Sequence, residues 1–474
     1  MSEFNHGTYT LERETSYKQT TVSGDIPVVV VAAPIHLATD PQINTPILCY
    51  SLDEVAKYFG YVNENSIFSS NRVVDIFMKL EGLAPLGIIN ILDSAKHKSE
   101  MVDKSVNLSN GEYTEEIHGI LIDTVVVKEG ATTLTLNTDY YKQYTSAGYV
   151  KITKVNGGTI VGTNLKLSYT HLDTTKITEA DIVGGKDLVS GKLTGMELIE
   201  TFNTLYNKEI KGIAIPKYSK SSIVSTVMKA KSSELNCIAC IDLPDNVYYT
   251  NAPQKKKEQN IYGATQYLTY GYATSGENIY EASIHALAVM TRIDKENDGN
   301  PSESPSNKSI YCDGACIIIN GNKETLNLGK TEANYLNENG IATIRNNNGF
   351  VLWGTKTAAF PDNSDPKETT LNWKRSMQYY RRDFESTMAS SVDGKVTPRF
   401  LDTVLNTFKQ KFNSEAAKEN IYAGEIICDA RKNTVGDLIE GTLTYQIKLT
   451  FFPNAQAIIG EFELDVDKLS TLTA

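Results

Sequence analysis

The residues with the clearest potential for chemistry are two cysteines at a spacing used for metal binding and redox exchange. Cys237 and Cys240 lie inside the apolar run LNCIACIDLP, which is typical of a buried strand. Side chains at i and i+3 on a strand point to opposite faces, so these thiols cannot share a ligand. A redox pair of this spacing sits at a helix N-terminus instead. We therefore expect buried structural thiols.

The histidines do not form a metal-binding pattern. They stand at positions 6, 36, 97, 118, 171 and 285, and no two are within twenty residues of each other. A helical His-x-x-x-His pair for zinc is therefore absent from the sequence. We expect each histidine to lie at the surface or to be hydrogen-bonded in the core.

Three further patterns do not indicate a phosphate-binding, catalytic or nucleic-acid-binding site. The segment Gly184–Leu193 has phosphate-loop character, but its spacing is off by one and Leu193 stands where a hydroxyl is required. No Gly-x-Ser-x-Gly nucleophile elbow occurs. Lys255–Lys257 indicates a solvated loop rather than a nucleic-acid patch. The sequence therefore predicts no catalytic residue, no cofactor and no metal, although carboxylates that meet in space leave hydrolase chemistry open.

Charge and composition exclude several classes of protein. The 474 residues carry 46 Lys+Arg against 57 Asp+Glu, a mild net charge of −11 that argues against nucleic-acid binding. The longest apolar stretch, from Ile26 to Ala38, contains Pro34 and is too short to span a bilayer. The N-terminal sequence predicts no secretory signal, and six cysteines favour a reducing cytoplasm. The 26 tyrosines suit either interfaces or scattered strand positions.

Strands and helices alternate over much of the chain, which predicts an α/β protein of about three domains. Ile26–Val31 and Leu83–Leu92 are apolar runs typical of buried strands. Helices are predicted between them, from Ser51 to Phe59 and from Asn71 to Leu80. A capping box at Thr194–Glu197 opens another helix, and the alternation after it favours a mostly parallel sheet with helices on both faces.

Two regions depart from this alternation. Residues 105–185 show period-two strands between Gly and Asn turns, which predicts an all-β insertion, a sandwich or a barrel. Asn372–Ser391 and Pro398–Ala417 are predicted long helices, followed by strands. The predicted division is an N-terminal arm (1–24), the start of the α/β core (25–104), the β insertion (105–185), the rest of the α/β domain (186–358), an α+β C-terminal domain (359–455) and a C-terminal arm strand (456–474).

Both ends of the chain carry a strand pattern beyond a short polar linker. A single strand leaves its backbone groups unpaired, so each end must pair within its own chain or with another copy. Strand addition to an identical neighbour, head to tail, builds a closed ring or an open helix. The segment from Gly441 to Phe452 is the natural acceptor, because the edges of that strand pair are otherwise free.

The sequence resembles the sheath proteins of contractile tails, which are found in tailed phages, R-type bacteriocins and related injection systems. The resemblance spans nearly the whole chain in the family's order, and Lys356 departs from it because the family commonly has Arg there. The matching segments are His6-Gly7-Thr8-Tyr9 followed by Glu12, the loop Ser304–Asn307, the strand Phe350–Thr357 with Trp353, the helix residues Tyr380-Arg381-Arg382, and Asn433, Thr434, Asp437 and Gly441.

The resemblance implies a β-sandwich insertion, a subtilisin-like α/β domain without its catalytic triad, an α+β C-terminal domain and strand-forming arms. It implies a structural subunit, not an enzyme, that stacks as hexameric rings around an inner tube and contracts from a metastable state. The implied partners are the chain itself, the tail tube protein, and baseplate and tail terminator proteins, with no nucleic acid and no membrane insertion. Synthesis is expected in the bacterial host cytoplasm and assembly in the virion or bacteriocin particle.

On this interpretation particular residues take particular roles. The tube contact is assigned to Lys409 and Lys411, whose alternative is a solvated helix face. The donated strands are predicted to use Tyr9, Leu11, Ile459, Phe462 and Leu464, and the acceptor face Leu443, Tyr445, Ile447 and Leu449. Other hypotheses stay open: the ends pair within their own chain, or the protein is an α/β enzyme or ligand-binding protein with a β insertion. A surface adhesin would need export signals.

Overall fold

The computed structural model describes residues 24–62, 67–464 and 466. Its first strand, β1 (Ile26–Val31), is buried at every position, as its run of valines predicts. Strands β2 (Pro46–Cys49) and β3 (Leu86–Asn90) flank the helices α1 (Leu52–Phe59) and α2 (Ser69–Val74). Helix α1 begins where predicted, because the Ser51 side chain accepts a hydrogen bond from the Glu54 amide. Helix α2 continues as a π-helical segment over Asp75–Leu80.

The β insertion consists of two small antiparallel sheets around one apolar cluster. Its strands are β4 (Lys98–Asn107), β5 (Glu112–Glu115), β6 (Val126–Glu129), β7 (Thr132–Thr133), β8 (Tyr140–Tyr144), β9 (Val150–Lys154) and β10 (Asn164–Leu172). One sheet has the order β4-β10-β6-β7 and the other β5-β9-β8. The insertion thus spans 98–172 and begins and ends earlier than predicted. The first residues of β4 are mostly exposed and polar, so they show no apolar alternation, and Ile177 and Ile182 already pack in the main core.

The chain then builds the rest of the α/β domain. Its elements are α3 (Glu179–Val183), β11 (Gly185–Lys186), β12 (Leu193–Thr194), α4 (Thr201–Tyr206), β13 (Ile210–Ala214), α5 (Ser222–Glu234), β14 (Ile238–Asp242), α6 (Ala252–Glu258), β15 (Gln266–Tyr270), β16 (Tyr272–Ser275), β17 (Asn278–Glu281), α7 (Ala282–Glu296), β18 (Lys308–Ser309), β19 (Gly314–Ile319), β20 (Asn322–Thr325), α8 (Lys330–Asn337), β21 (Ile341–Asn346) and β22 (Phe350–Trp353).

The last elements belong to the C-terminal region. They are α9 (Pro366–Thr369), α10 (Leu371–Met388), α11 (Pro398–Ala417), β23 (Ala423–Ile427), α12 (Val435–Ile439) and β24 (Gln446–Thr450). Short 3-10 helices lie at Ile35–Leu37, Ile122–Thr124, Thr174–Lys176, Gly195–Glu200, Tyr249–Asn251, Ala389–Ser391 and Ala430–Lys432.

A nine-stranded sheet organises the main core. Its order is β18-β22-β21-β15-β14-β13-β1-β3-β2. The six strands from β21 to β3 run parallel, and the flanking strands β2, β22 and β18 pair antiparallel. Every residue of β1, β3, β14 and β15 is buried, so both faces of the sheet are covered. This confirms the predicted α/β class and its mostly parallel sheet.

Two local predictions were wrong. The Thr194 side chain makes no helix cap; Thr194 pairs with Gly185 in the β11–β12 hairpin, and a 3-10 helix follows it. Lys255–Lys257 are not a loop but the end of α6. The Lys256 ammonium donates to the carbonyls of Asn339 and Phe360 at 2.6 and 2.7 Å, and burial lowers the pKa of Lys256 to about 8.

The chemistry-bearing residues of the core are structural. Cys237 and Cys240 are buried free thiols, as predicted, and burial raises the pKa of Cys237 to about 12. The ring nitrogens of His36 and His285 are buried without hydrogen bonds, so the expectation of surface or hydrogen-bonded rings was wrong for these two. No group of three or more His, Cys, Asp or Glu suited to a metal occurs in the described ranges. Within the same ranges, no helix is both long and apolar enough to cross a membrane.

Asp242 links the sheet to helix α7 at the carboxyl end of β14. Its carboxylate accepts hydrogen bonds from the Ser283 amide at 2.9 Å, the Ser283 hydroxyl at 2.5 Å and the Thr269 hydroxyl at 2.9 Å. Burial, assisted by the charge of Glu281, raises the pKa of Asp242 to about 6. The folded chain therefore holds a proton here that the unfolded chain releases at lower pH.

We predict that D242N becomes more favourable relative to the wild type as pH rises. An acid whose pKa is raised on folding stabilises the fold at low pH and loses that contribution as pH rises through the folded pKa. The unfolding free energy of D242N minus that of the wild type should therefore increase by about 2–3 kcal/mol between pH 4 and pH 7. Urea denaturation at pH 4, 5.5 and 7 measures it. A difference that is independent of pH would contradict the assignment.

Candidate assembly interface

The C-terminal unit, residues 366–464, is built on the two long helices. Helix α11 begins as predicted, with the Thr397 side chain accepting a hydrogen bond from the Phe400 amide at 3.1 Å and Pro398 in the first turn. It buries Val404, Phe408 and Phe412, which recur every four residues and therefore share one face. This face is the centre of the unit.

Aromatic contacts join α11 to α10. The rings of Phe384 and Phe408 lie 5.2 Å apart between centroids, and those of Tyr380 and Phe412 lie 6.3 Å apart. These residues, with Val404 and Ile421, form an apolar cluster separate from that of the main sheet. The C-terminal unit therefore has a small core of its own.

The strands β23 and β24 form an antiparallel pair that covers this cluster. Gly424 stands opposite Leu449 and Ile426 opposite Ile447, so these four residues share the inner face. A Cβ atom on Gly424 would lie 2.7 Å from Cγ of Phe412, and glycine is needed there for the strand to approach the helix. The outer face carries the ion pair of Glu425 and Lys448 at 3.6 Å, flanked by the pairs Ala423–Thr450 and Ile427–Gln446.

The structure brings most of the predicted acceptor residues together. Tyr445, Ile447 and Leu449 pack against the α10–α11 cluster with Phe451, and Leu443 is half-buried ahead of β24. The side chains of this face thus contact the chain's own helices. What the pair offers a neighbour is its backbone edges, because in the described part of the chain β23 and β24 have no strand partner besides each other.

The predicted donor residues at the C-terminal end are exposed. Ile459, Phe462 and Leu464 are 83, 99 and 85% exposed, and Ile458 is 89% exposed. Residues 451–464 contain no strand, so the described part of the arm predicted over 456–474 does not form its strand within this chain. The physical reason is that a strand requires a partner for its backbone groups. The predicted donor residues Tyr9 and Leu11 lie outside the described residues.

The root of this C-terminal segment is fixed to α10. The Trp373 indole donates to the Phe452 carbonyl at 2.9 Å, and the Asn454 and Asn372 side-chain amides bond to each other at 2.8 Å. Gln456 donates to the Thr355 hydroxyl at 2.9 Å. The segment therefore leaves the unit at a defined point, beside the edge of the main sheet.

The two lysines assigned to tube contact lie on different sides of α11. Lys411 is half-buried and forms an ion pair with Asp383 of α10. Lys409 is exposed, as expected for residues two apart on a helix, which point about 200° apart. The structure does not bring them to one surface, so only Lys409 is placed for a contact outside the chain.

A buried charged layer, which sequence reasoning missed, joins α10 to the main core. The Arg375 guanidinium contacts Asp294 of α7 at 2.5 Å, and both side chains are less than 5% exposed. The Gln378 amide donates to the Cys237 carbonyl at 2.9 Å. Arg382 pairs with Asp25 and donates to the Asn236 carbonyl. The sequence signal for this layer is a set of polar residues at i, i+3 and i+7 of one helix, but the solvent-exposed face of a helix shows the same pattern.

The comparisons with known proteins agree on one family. A family profile described as the phage tail sheath protein central domain matches residues 191–358. The tail sheath protein of Burkholderia phage BcepMu is 26% identical over 500 residues, covering 98% of this chain and 98% of the phage protein.

Solved structures share the fold. A chain of the six-fold symmetrised anti-feeding prophage (AFP) baseplate superposes with a TM-score of 0.56 at 12% identity, covering 98% of this chain and 100% of that one. A chain of the AFP baseplate in the contracted state gives a TM-score of 0.55 at 11% identity over 98% and 100%. The similarity is one of architecture, a mixed α/β chain with several sheets.

We predict that R375A destabilises the chain by about 3 kcal/mol, because it removes the nearest partner of the buried Asp294 carboxylate and leaves only the Lys211 ammonium at 4.0 Å. Chemical denaturation of wild type and variant measures the loss. The matched control is R431A, since Arg431 pairs with Asp429 at the surface and is 90% exposed. Equal stability of R375A and R431A would show that the buried layer does not hold α10 to the core.

Proposed function

We propose that this chain is a member of the tail sheath protein family and the repeating structural subunit of a contractile tail sheath. The observation that carries the proposal is that one unit combines an exposed apolar segment with a two-stranded sheet whose edges have no further strand partner among the described residues. If the exposed segment of one copy adds to an edge of the two-stranded sheet of another copy, the backbone groups of both gain hydrogen-bond partners. The near full-length similarity to a phage tail sheath protein supports this role.

Strand donation connects the copies. The C-terminal segment of one copy, with Ile459, Phe462 and Leu464, adds to an edge of β23–β24 in a neighbour, and the N-terminal arm with Tyr9 and Leu11 adds to another. A head-to-tail contact of this kind is not self-complementary, so it propagates into rings or helices. The six-fold symmetry of the similar AFP baseplate supports stacked hexameric rings around an inner tube.

Contraction follows from a difference between the extended and the contracted sheath in the apolar area that is buried between copies. The extended sheath is metastable, held by a kinetic barrier until a baseplate trigger releases it. Domains then move as rigid bodies while the donated strands keep the copies connected. Apolar surface newly buried between copies contributes about 25 cal/mol per Å², so modest areas in each of many copies drive a tube through an envelope.

The domains divide this work. The two small sheets of the insertion act as a β-sandwich domain, and the nine-stranded unit corresponds to the subtilisin-like domain of the family in fold only. The role is structural and needs no catalytic residue or cofactor. Lys409, exposed on α11, is the residue we assign to contact with the inner tail tube protein. Baseplate and tail terminator proteins contact the ends of the sheath in the phage or bacteriocin particle.

We predict that deletion of residues 1–20 leaves a folded chain that no longer forms tubular assemblies. The main core begins at Ile26, so the deletion removes no residue of the described clusters. Negative-stain electron microscopy of the wild-type and truncated chains measures assembly, and thermal unfolding measures the fold. Normal tubes from the truncated chain would contradict donation by the N-terminal arm.

We predict a similar separation for the triple variant I459S/F462S/L464S. Its three side chains are more than 80% exposed, so the variant should melt as the wild type does. In assembly it loses three apolar contacts, which raises the concentration required for tubes by well over tenfold. V392S, at a position that is 71% exposed outside the arms, is the control and should assemble as the wild type does. Equal assembly of the triple variant and V392S would reject the C-terminal donor strand.

A further inference from the structure

The hairpin formed by β11 and β12 carries two apolar side chains at its tip. Leu188 is 96% exposed and Val189 is 98% exposed, so neither contributes to any described core. Exposing adjacent aliphatic side chains gains nothing for a single copy, and such residues are typical of contacts with a partner. Their position on a turn, and not in a flat strand, makes them a projecting knob.

The tip is rigid before any partner binds. The Asp187 carboxylate accepts hydrogen bonds from the Val189 amide at 3.0 Å, the Ser190 amide at 2.6 Å and the Ser190 hydroxyl at 2.8 Å. The Asp187 amide donates to the Lys192 carbonyl at 2.9 Å. A pre-organised turn loses little conformational freedom on binding, which favours its use as an anchor.

The hairpin rises from one edge of the nine-stranded sheet. At its base the Gly195 amide donates to the Asn44 side chain at 3.1 Å, and the Asn44 amide donates to the Asn90 carbonyl at the end of β3. Asn44 precedes β2, which is the edge strand on this side. The 3-10 helix that follows the hairpin packs on β3 and β1.

A groove lies at the opposite edge of the same sheet. It has a volume of about 850 Å³ and lies between β18, β22, α8 and the root of the C-terminal segment. Its aromatic lining residues are Trp353, Phe360, Phe451 and Phe452. The loop Ser304–Asn307 and the segment around Trp353, both singled out in the sequence, meet here, and neither is explained by strand donation.

The charges of knob and groove are complementary. The exposed ammonium groups of Lys186 and Lys192 flank the tip, and the one carboxylate between them, that of Asp187, accepts the hydrogen bonds of the turn. In the groove, Lys308 is paired with Glu303 at 2.5 Å, which leaves the carboxylates of Glu338 and Glu419 against the single ammonium of Lys356 among the lining residues.

We propose that the Leu188–Val189 tip of one copy inserts into the groove at the opposite sheet edge of a second copy. The inference rests on the proposed function, since it names a second contact within the sheath. Knob and groove are separated by the nine-stranded sheet, roughly 40 Å at about 4.8 Å per strand. A knob at one edge and its groove at the other generate a head-to-tail contact, which propagates without limit or closes into a ring.

Disulfide trapping tests the contact directly. Chains carrying V189C are mixed with chains carrying N334C, at an exposed α8 position that lines the groove, and are oxidised after assembly. Covalent dimers on a non-reducing gel should exceed by about tenfold those from V161C mixed with N334C, because Val161 is 90% exposed but lies on the β insertion. Wild-type chains, whose six thiols are buried or half-buried, set the background.

Each outcome decides a different point. Wild-type tubes with no excess of V189C–N334C dimers would overturn the hairpin contact and leave the proposed function intact. Dimers from I459C with N334C, without V189C dimers, would assign the groove to the C-terminal segment instead. A wild-type chain that never assembles would remove the proposed function together with this contact.

An assembly measurement supplies the second readout. L188S/V189S should melt as the wild type does, because both side chains are almost fully exposed, while the concentration required for tubes rises by about tenfold or more. V161S is the matched control and should leave that concentration unchanged. Tubes from L188S/V189S at the wild-type concentration would overturn the proposal.

Discussion

Backbone hydrogen bonding at the edges of a two-stranded sheet is the constraint on which the rest of this structure depends. A strand pair of this size is marginal unless a core covers one face and further strands satisfy its edges. The α10–α11 aromatic cluster covers the inner face of β23–β24, and Gly424 permits the close approach. The described part of the chain supplies no third strand to this pair, and its C-terminal segment presents Phe462 at the surface. In the proposed sheath, a neighbouring copy meets both needs at once.

The C-terminal unit is fixed to the core by more than apolar contact. Arg375 and Asp294 are buried together, and Arg382 holds Asp25, the residue that precedes the first core strand by one position. A buried ion pair adds little net stability relative to apolar packing, yet removal of one partner is costly. Such a layer therefore fixes the orientation of α10 on the sheet and joins Asp25, directly ahead of β1, to the same helix.

Much of the architecture could be predicted because its signals are local. The valine run of β1, the Thr397 cap with Pro398, and the alternation of Tyr445, Ile447 and Leu449 each act over a few residues. The remainder depends on tertiary contacts. The stretch Lys255–Lys257, predicted as a loop, ends a helix in which the Lys256 ammonium donates to two carbonyls that are distant in the sequence. The segment Gly184–Leu193, which has phosphate-loop character, forms a hairpin. Buried polar residues on α10 show the pattern of a solvated face until their partners on the core are known.

Cryo-electron microscopy of the assembled chain tests strand donation most directly. We predict that β23 and β24 become the central strands of a four-stranded sheet, with one outer strand from the N-terminal arm of a neighbour and the other from a C-terminal segment containing Ile459, Phe462 and Leu464. Density showing both ends folded back on their own copy, with β23–β24 still two-stranded inside a regular tube, would contradict it.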